Sequence, residues 1–392
     1  MTELLADDYP RRFRPDIQAL RAVAVLVVVL YHAHLPVVHG GFLGVDVFFV
    51  ISGFVITGVL LTEHVHTHGV SLLDFYARRV RRIVPASSLV VVATVFASYH
   101  WLGLVTGLST GTDAKWVLGF LGNVHFASSG LNYLQQGMPK STLTQYWSLG
   151  VEEQFYVVWP LLFWATAAVG LKISRRTRLL GVISAVIVAS LTYNLVLSHE
   201  NLLAAFYSPF TRAWELGVGA LLAIGTPLLA RVGRDSLGLV ASTLGYLGLA
   251  ASLWVISDST VWPGSAVLVP VAATALIIAG GSMRTSSRFG FLTTNPVTQW
   301  FGNVSYSLYL VHWPILVVVA HHSLSGSVSR GTNALLVLAS IGAAAVLHYV
   351  VENPVRDSTW LKNHRLATLL MGAAFLGAAL GAVVWHEHVL SW

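Results

Sequence analysis

Apolar residues along this chain gather into runs of about 20, separated by short polar stretches, the pattern of helices that cross a hydrocarbon layer about 30 Å thick. The runs lie at roughly 17–36, 42–62, 84–105, 147–170, 179–198, 205–229, 237–257, 265–281, 300–320, 332–351 and 366–386. The pattern predicts an all-α integral membrane protein of about eleven transmembrane helices, the eighth run being the shortest. No soluble domain interrupts them. The first run follows a basic leader that imitates a signal peptide, but it is long, carries His32 and lacks a small-residue cleavage site, so it is expected to be a retained helix.

Composition agrees with the pattern. Of 392 residues 55% are hydrophobic and 10% charged, and the mean hydropathy is +0.70, beyond what a soluble core requires. The net charge of +6 takes its meaning from its distribution: 19 of the 23 basic residues fall in loops on one side or open the spans from it. They include Arg11, Arg12, Arg14 and Arg21, then Arg78, Arg79, Arg81 and Arg82, then Lys172, Arg175, Arg176 and Arg178, with Arg284 and Arg288 further on. Only Lys115, Lys140 and Arg330 fall on the other side. The positive-inside rule then puts the N-terminus in the cytosol and, with an odd span count, the C-terminus outside. The basic balance therefore expresses topology, with no nucleic-acid partner. The absence of cysteine excludes a protein thiol nucleophile. Among the loops, 106–146 is long, faces outside and holds a half-buried segment at 116–126, whereas Ser71 to Arg82 is expected to lie along the cytosolic membrane surface.

Ionisable groups within hydrocarbon are costly, and each is a functional candidate. Arg21 and His32 are eleven positions apart, three helical revolutions plus about 20°, so they share one face about 16 Å apart. His32 precedes, and Asp46 follows, a short external turn, which brings both to similar depth; a carboxylate beside an imidazole would fix its tautomer and support the imidazolium. Glu152 and Glu153 enter the fourth run from outside, about 100° apart around the helix, so one of them faces any given site. Arg212 and Glu215 are spaced to pair along their helix. His312 lies mid-span, Glu352 ends the tenth run, and each has a plain packing role as the competing explanation. Arg78 to Arg82 serve topology and headgroup anchoring by default, yet four arginines in five residues also suit bidentate phosphate binding. His64, His66 and His68, and His386 with Glu387 and His388, lack a ligand set, so no metal is expected. There is no GxSxG, Walker or HExxH motif. Asn303-Val-Ser matches a glycosylation sequon on the cytosolic side, where it is inert.

Taken in order, Arg21-x10-His32, GGFLGVDVFFVISGF from Gly40, FYARRVRRIVP from Phe75, YWSLGVEEQFYVVWPLL from Tyr146, SPFTRAWELGVGALL from Ser208, SYSLYLVHWPI from Ser305 and VENPVR from Val351 resemble acyltransferase family three. The resemblance implies a ten-helix acyltransferase core over 1–356, an additional helix over 357–392, and a multi-pass place in a bacterial plasma membrane. It further implies O-acylation, usually O-acetylation, of a glycan or other cell-envelope hydroxyl by acyl-CoA bound from the cytosol. His32 matches the family's essential histidine, Arg21 the arginine of that motif, Arg79 and Arg82 the donor-linked RxxR pair, and Asp46, Glu152 and Glu153 the acidic positions of their blocks. Arg14 and Arg78 are expected with the donor's phosphates, and Arg212, Glu215, Tyr309 and His312 with the substrate. The wording HFASSGLNYLQQGMPKSTLTQYWSLGVEEQFY and the eleventh run are similar to members fused to an extracytoplasmic SGNH-type domain. With the chain ending at Trp392, such a domain is expected to be absent by truncation or supplied by a partner.

A transporter or flippase would also need a polar path through a helical bundle, and a purely structural scaffold would need none. Release of free CoA thiol separates a transferase from both.

Overall fold

The computed structural model describes residues 13–36, 38–131, 133, 140–168, 174–283, 290–321 and 328–390. Among the described residues all regular structure is helical. In chain order the helices are α1 (Pro15–His32), α2 (Gly44–Thr67), α3 (Leu72–Leu102), α4 (Leu104–Leu118), α5 (Gly122–Ser128), α6 (Tyr146–Ala168), α7 (Arg175–Glu200), α8 (Leu202–Tyr207) and α9 (Pro209–Val232). They continue as α10 (Asp235–Val255), α11 (Leu268–Ser282), α12 (Gly290–Thr293), α13 (Pro296–His321), α14 (Arg330–Leu347), α15 (Asn353–Asp357), α16 (Thr359–Asn363) and α17 (Arg365–Leu390). One π-helical turn, His348–Glu352, joins α14 to α15.

Nine helical stretches among the described residues are long and apolar enough to cross a membrane. Two of the eleven expected runs fall outside that set. Helix α11 has only 15 residues, and α6 carries Glu152, Glu153 and Gln154 near its start, which lower its hydropathy. The segment expected along the membrane surface is instead continuous with the third run in the 31-residue α3. Ser71 begins that helix by accepting the Asp74 N–H at 3.2 Å, an N-cap that leaves no break before Pro85. Arg11, Arg12, Lys172, Arg284 and Arg288, counted above for topology, lie outside the described residues.

The chain divides into two compact units: residues 1–28, 38–70 and 152–303, and residues 29–37, 71–151 and 304–392. In the first, α2 and α9 meet backbone to backbone. A Cβ added at Gly53 would collide with the Leu216 carbonyl, and one at Gly219 with the Val50 carbonyl, so small residues here permit the close approach. That approach closes a buried ionic cluster. Arg212 Nη1 on α9 donates to Asp46 Oδ1 on α2 at 2.7 Å and to Glu215 Oε1 one turn along at 3.1 Å. Its Nε donates to the Phe206 carbonyl at 3.3 Å, and its guanidinium carbon lies 5.4 Å from the Phe206 ring centroid. All three charged residues are at most 1% exposed.

In the second unit α17 packs along α3, where Gly372 admits the Val80 side chain, and along α4, where Lys115 Nζ meets Glu387 Oε2 at 2.6 Å. His386 stacks on Phe96, centroids 4.2 Å apart, and meets Tyr99 edge-on at 4.7 Å. Within the π-helical turn Glu352 Oε2 accepts from Ser307 Oγ at 2.7 Å and bonds His348 Nδ1 at 2.9 Å.

Gly53→Val is expected to force α2 from α9 and cost about 1–3 kcal/mol, read as a lower melting temperature in detergent. Gly58→Ala is its control on the same helix, since a Cβ there meets nothing within 4 Å. Arg212→Leu should cost about 3–5 kcal/mol by stranding two buried carboxylates. Adding Asp46→Asn and Glu215→Gln should recover much of that loss in the same melting experiment.

Candidate active site

The candidate site lies wholly within the second unit and starts from His32, the last residue of α1. His32 Nδ1 is 2.9 Å from His312 Nε2, and the two rings stack with centroids 5.1 Å apart and an interplanar angle of 11°. His32 Nε2 is 2.5 Å from the hydroxyl of Tyr133. Both histidines are buried, at 6% and 0% exposure.

One carbonyl fixes the direction of every proton in this chain. His312 Nδ1 is 3.1 Å from the Leu308 carbonyl oxygen, one turn back on α13. A carbonyl only accepts, so Nδ1 carries the hydrogen, and in the neutral ring Nε2 is then an acceptor. His32 Nδ1 must donate to it, which leaves the lone pair of neutral His32 on Nε2, accepting the Tyr133 O–H. His32 is thus held with a basic nitrogen directed at a hydroxyl. A second imidazole occupies the position expected of Asp46, whose carboxylate is instead held by Arg212.

Aromatic groups fix the ring further. Trp313 meets His32 edge-on with centroids 4.7 Å apart, and its indole N–H donates to the Ser141 carbonyl at 2.9 Å. The Ser141 side chain hydrogen-bonds Asp113, which also bonds His125 Nε2 at 2.8 Å. Burial raises the Asp113 carboxyl above its ordinary range, while the Ser141 and His125 hydrogen bonds oppose the shift. The ammonium of Lys140 lies 5.6 Å from the ring centroids of both Tyr133 and Trp313, a cation over two aromatic faces at the edge of the site.

A proline accounts for the next layer. Pro314, inside α13, has no N–H to give the Leu310 carbonyl. Gln145 supplies the missing donor, its Nε2 lying 3.1 Å from Leu310 O. Tyr309 donates to the Gln145 backbone carbonyl at 2.9 Å, so in its 2.6 Å contact with Ser148 the serine hydroxyl is the donor. The Tyr309 ring lies 5.6 Å from that of His312.

Arg78, Arg79 and Arg82 are half-buried along α3 in the same unit as His32. The Arg79 guanidinium lies 5.8 Å from the Phe75 centroid, and Arg82 acts electrostatically on Glu352. Arg81 is buried and donates to the Leu361 carbonyl at 3.2 Å. Arg14, Arg21, Asp46, Glu152, Glu153, Arg212 and Glu215 belong to the first unit. Arg14, expected with the donor's phosphates, forks onto Asp16 at 2.8 and 2.6 Å and also donates to Ser282 Oγ and the Ile278 carbonyl. Four of its five N–H donors are thus placed on protein oxygens. Arg21 donates to Gln18 Oε1 at 3.2 Å. Glu152 and Glu153 are half-buried, and Glu152 accepts from the Tyr156 hydroxyl at 2.9 Å. Tyr133, Lys140, Trp313 and Gln145 escaped the sequence reading. Lys140 had a usable signal as one of three cations on its side, and Pro314 announced an unpaired carbonyl; Tyr133 had none.

A model of a family described as "Acyltransferase domain" matches residues 14–353. YrhL of Bacillus subtilis (strain 168), which carries the name of a peptidoglycan O-acetyltransferase, is 30% identical over 358 residues, covering 88% of this chain and 55% of the relative. O-acetyltransferase OatA of Staphylococcus aureus (strain NCTC 8325 / PS 47) is 29% identical over 355 residues, covering 89% of this chain and 58% of its own length. The chain therefore spans a little over half the length of these relatives. Comparison with solved structures gives no match. The family match over nearly the whole chain and the apolar helices agree: this is a multi-pass bacterial membrane protein that belongs to the acyltransferase-domain family of Arg14–Asn353.

Proposed function

We propose that the chain is a membrane O-acyltransferase, of the O-acetyltransferase kind, that moves an acyl group from cytosolic acyl-CoA to a hydroxyl of an extracytoplasmic glycan such as peptidoglycan. The observation that carries this reading is a hydroxyl seated 2.5 Å from His32 Nε2, in a chain whose proton direction is set by His312 and the Leu308 carbonyl. A general base needs its lone pair within hydrogen-bond reach of the proton it removes. His32 Nε2 takes the proton of the acceptor hydroxyl as its oxygen bonds the thioester carbonyl carbon; the C–S bond breaks, and the departing thiolate leaves as CoA thiol after taking that proton. His312 supports the imidazolium through Nδ1–H of His32, and Lys140 is the cation best suited to the developing oxyanion.

The half-buried Arg78, Arg79 and Arg82 supply guanidinium groups for the donor's phosphates, in the same unit as His32. Charge distribution supports a cytosolic N-terminus, eleven spans when α6 and α11 are counted, and an extracytoplasmic C-terminus. The names of the relatives, and the share of their length that this chain leaves unmatched, support a glycan acceptor and an extracytoplasmic domain or partner that completes delivery. The close Tyr133 contact motivates a second, two-step order within the same reading, in which Tyr133 Oη bonds the thioester carbonyl carbon, His32 passes its proton to the departing CoA thiolate, and the glycan hydroxyl then takes the acyl group from the phenolic ester and returns a proton to Tyr133.

Purified protein incubated with acetyl-CoA and cell-envelope glycan should release CoA thiol and acetylate the glycan, whereas movement of a solute with no CoA release would mark a transporter. His32→Ala should abolish transfer and keep donor binding. His312→Ala should lower kcat about 10- to 100-fold with little change in donor KM. Arg79→Ala combined with Arg82→Ala should weaken acyl-CoA binding about tenfold or more, measured by equilibrium binding. An acetyl ester on Tyr133, found by peptide mass spectrometry after a short incubation, would establish the two-step order.

A further inference from the structure

Gln145 presents an oxygen that the fold leaves unused. The residue is fully buried, its Nε2 is fixed on the Leu310 carbonyl that Pro314 deprives of a partner, and its Oε1 has no hydrogen-bond partner among the described residues. The orientation of the amide is not arbitrary, because a carbonyl at Leu310 requires the NH2 group of Gln145 and so places Oε1 on the other side. Its surroundings belong to the candidate active site. Leu310 is two residues before His312, the Tyr309 hydroxyl donates to the Gln145 carbonyl, and Trp147, two residues on, meets the Tyr133 ring at 6.0 Å. Most buried polar atoms have a partner, and leaving one without is costly.

The neighbouring hydroxyls do not meet that need. Tyr309 spends its proton on the Gln145 backbone carbonyl, and Ser148 spends its own on Tyr309. An unmet buried acceptor on a residue whose neighbours Tyr309 and Trp147 touch His312 and Tyr133 suits a neutral donor brought by the substrate. Charged donors suit it less, since an ammonium or guanidinium buried here would need a counter-ion. One neutral donor common to both substrates of the proposed reaction is a secondary amide N–H: the pantetheine arm of acyl-CoA carries two, and an N-acetylated sugar carries one in its acetamido group.

We propose that Gln145 Oε1 accepts the N–H of a substrate secondary amide and so sets the depth at which the reacting carbonyl or hydroxyl meets His32. This rests on the transferase reading. The competing explanation is that Gln145 serves only to cap Leu310, its oxygen being an idle consequence of using an amide.

The test uses the full chain in nanodiscs. Gln145→Leu removes both functions, so its penalty is compared across substrates: acetyl-CoA against S-acetyl-2-mercaptoethanol, which has the thioester without an amide, and N-acetylglucosamine oligomers against glucose oligomers. A KM increase of about three- to tenfold confined to acetyl-CoA assigns the amide to the donor, and one confined to the N-acetylated oligomers assigns it to the acceptor. An equal penalty with every pair, or none, overturns the proposal. Pro314→Ala gives Leu310 a backbone partner again; in that background Gln145→Leu should still raise the amide-dependent KM, and loss of its effect there means Gln145 only caps. Should the unaltered protein not turn over acetyl-CoA, the transferase reading fails, and Gln145 is judged by binding. Gln145→Leu should weaken CoA or chitotetraose about three- to tenfold while leaving adenosine 3′,5′-bisphosphate, which has no amide, unchanged; equal affinities of both proteins for all three overturn the proposal.

Discussion

A polar atom held among apolar helices has no water to replace a missing partner, so the chain must supply one from its own atoms. The second unit meets that demand around His312. The Leu308 carbonyl orients His312, His312 orients His32, and His32 is left with its lone pair toward a hydroxyl. Nothing in this sequence of contacts requires a carboxylate. A stacked imidazole can hold a tautomer as a carboxylate does, and it adds no formal charge that the surrounding apolar packing must then compensate.

The first unit meets the same demand with charges. Two carboxylates share one guanidinium at Arg212, at a depth made possible by backbone contact between α2 and α9 at Gly53 and Gly219. The prolines raise the problem in backbone form: Pro314 silences one donor, and Gln145 is recruited from 165 positions earlier to answer the exposed carbonyl. A proline in the helix beside His312 removes a backbone donor and so invites a polar partner from elsewhere in the chain.

Much of this was legible in the sequence. The apolar runs gave most helix positions, and three-residue spacing paired Arg212 with Glu215. His32 and His312 stood out because imidazoles are rare and costly in such runs. What was not legible is long-range pairing. Depth alone matched Asp46 to His32, but a guanidinium 166 positions away binds that carboxylate with charge as well as hydrogen bonds. Tyr133 and Lys140 sit in a stretch without periodicity, where sequence offers no face to assign them to. The third run extended further than expected because a serine cap placed the helix start before the arginines.

The indole of Trp313 hangs from the carbonyl of Ser141, whose side chain is in turn moored to Asp113 and, beyond it, His125. The imidazole of His32 is therefore braced from a helix pair that shares no chemistry with it. Anything that pulls Asp113 from its mooring slackens the brace, so order in α4 and α5 and the fixity of the His32 ring rise and fall together.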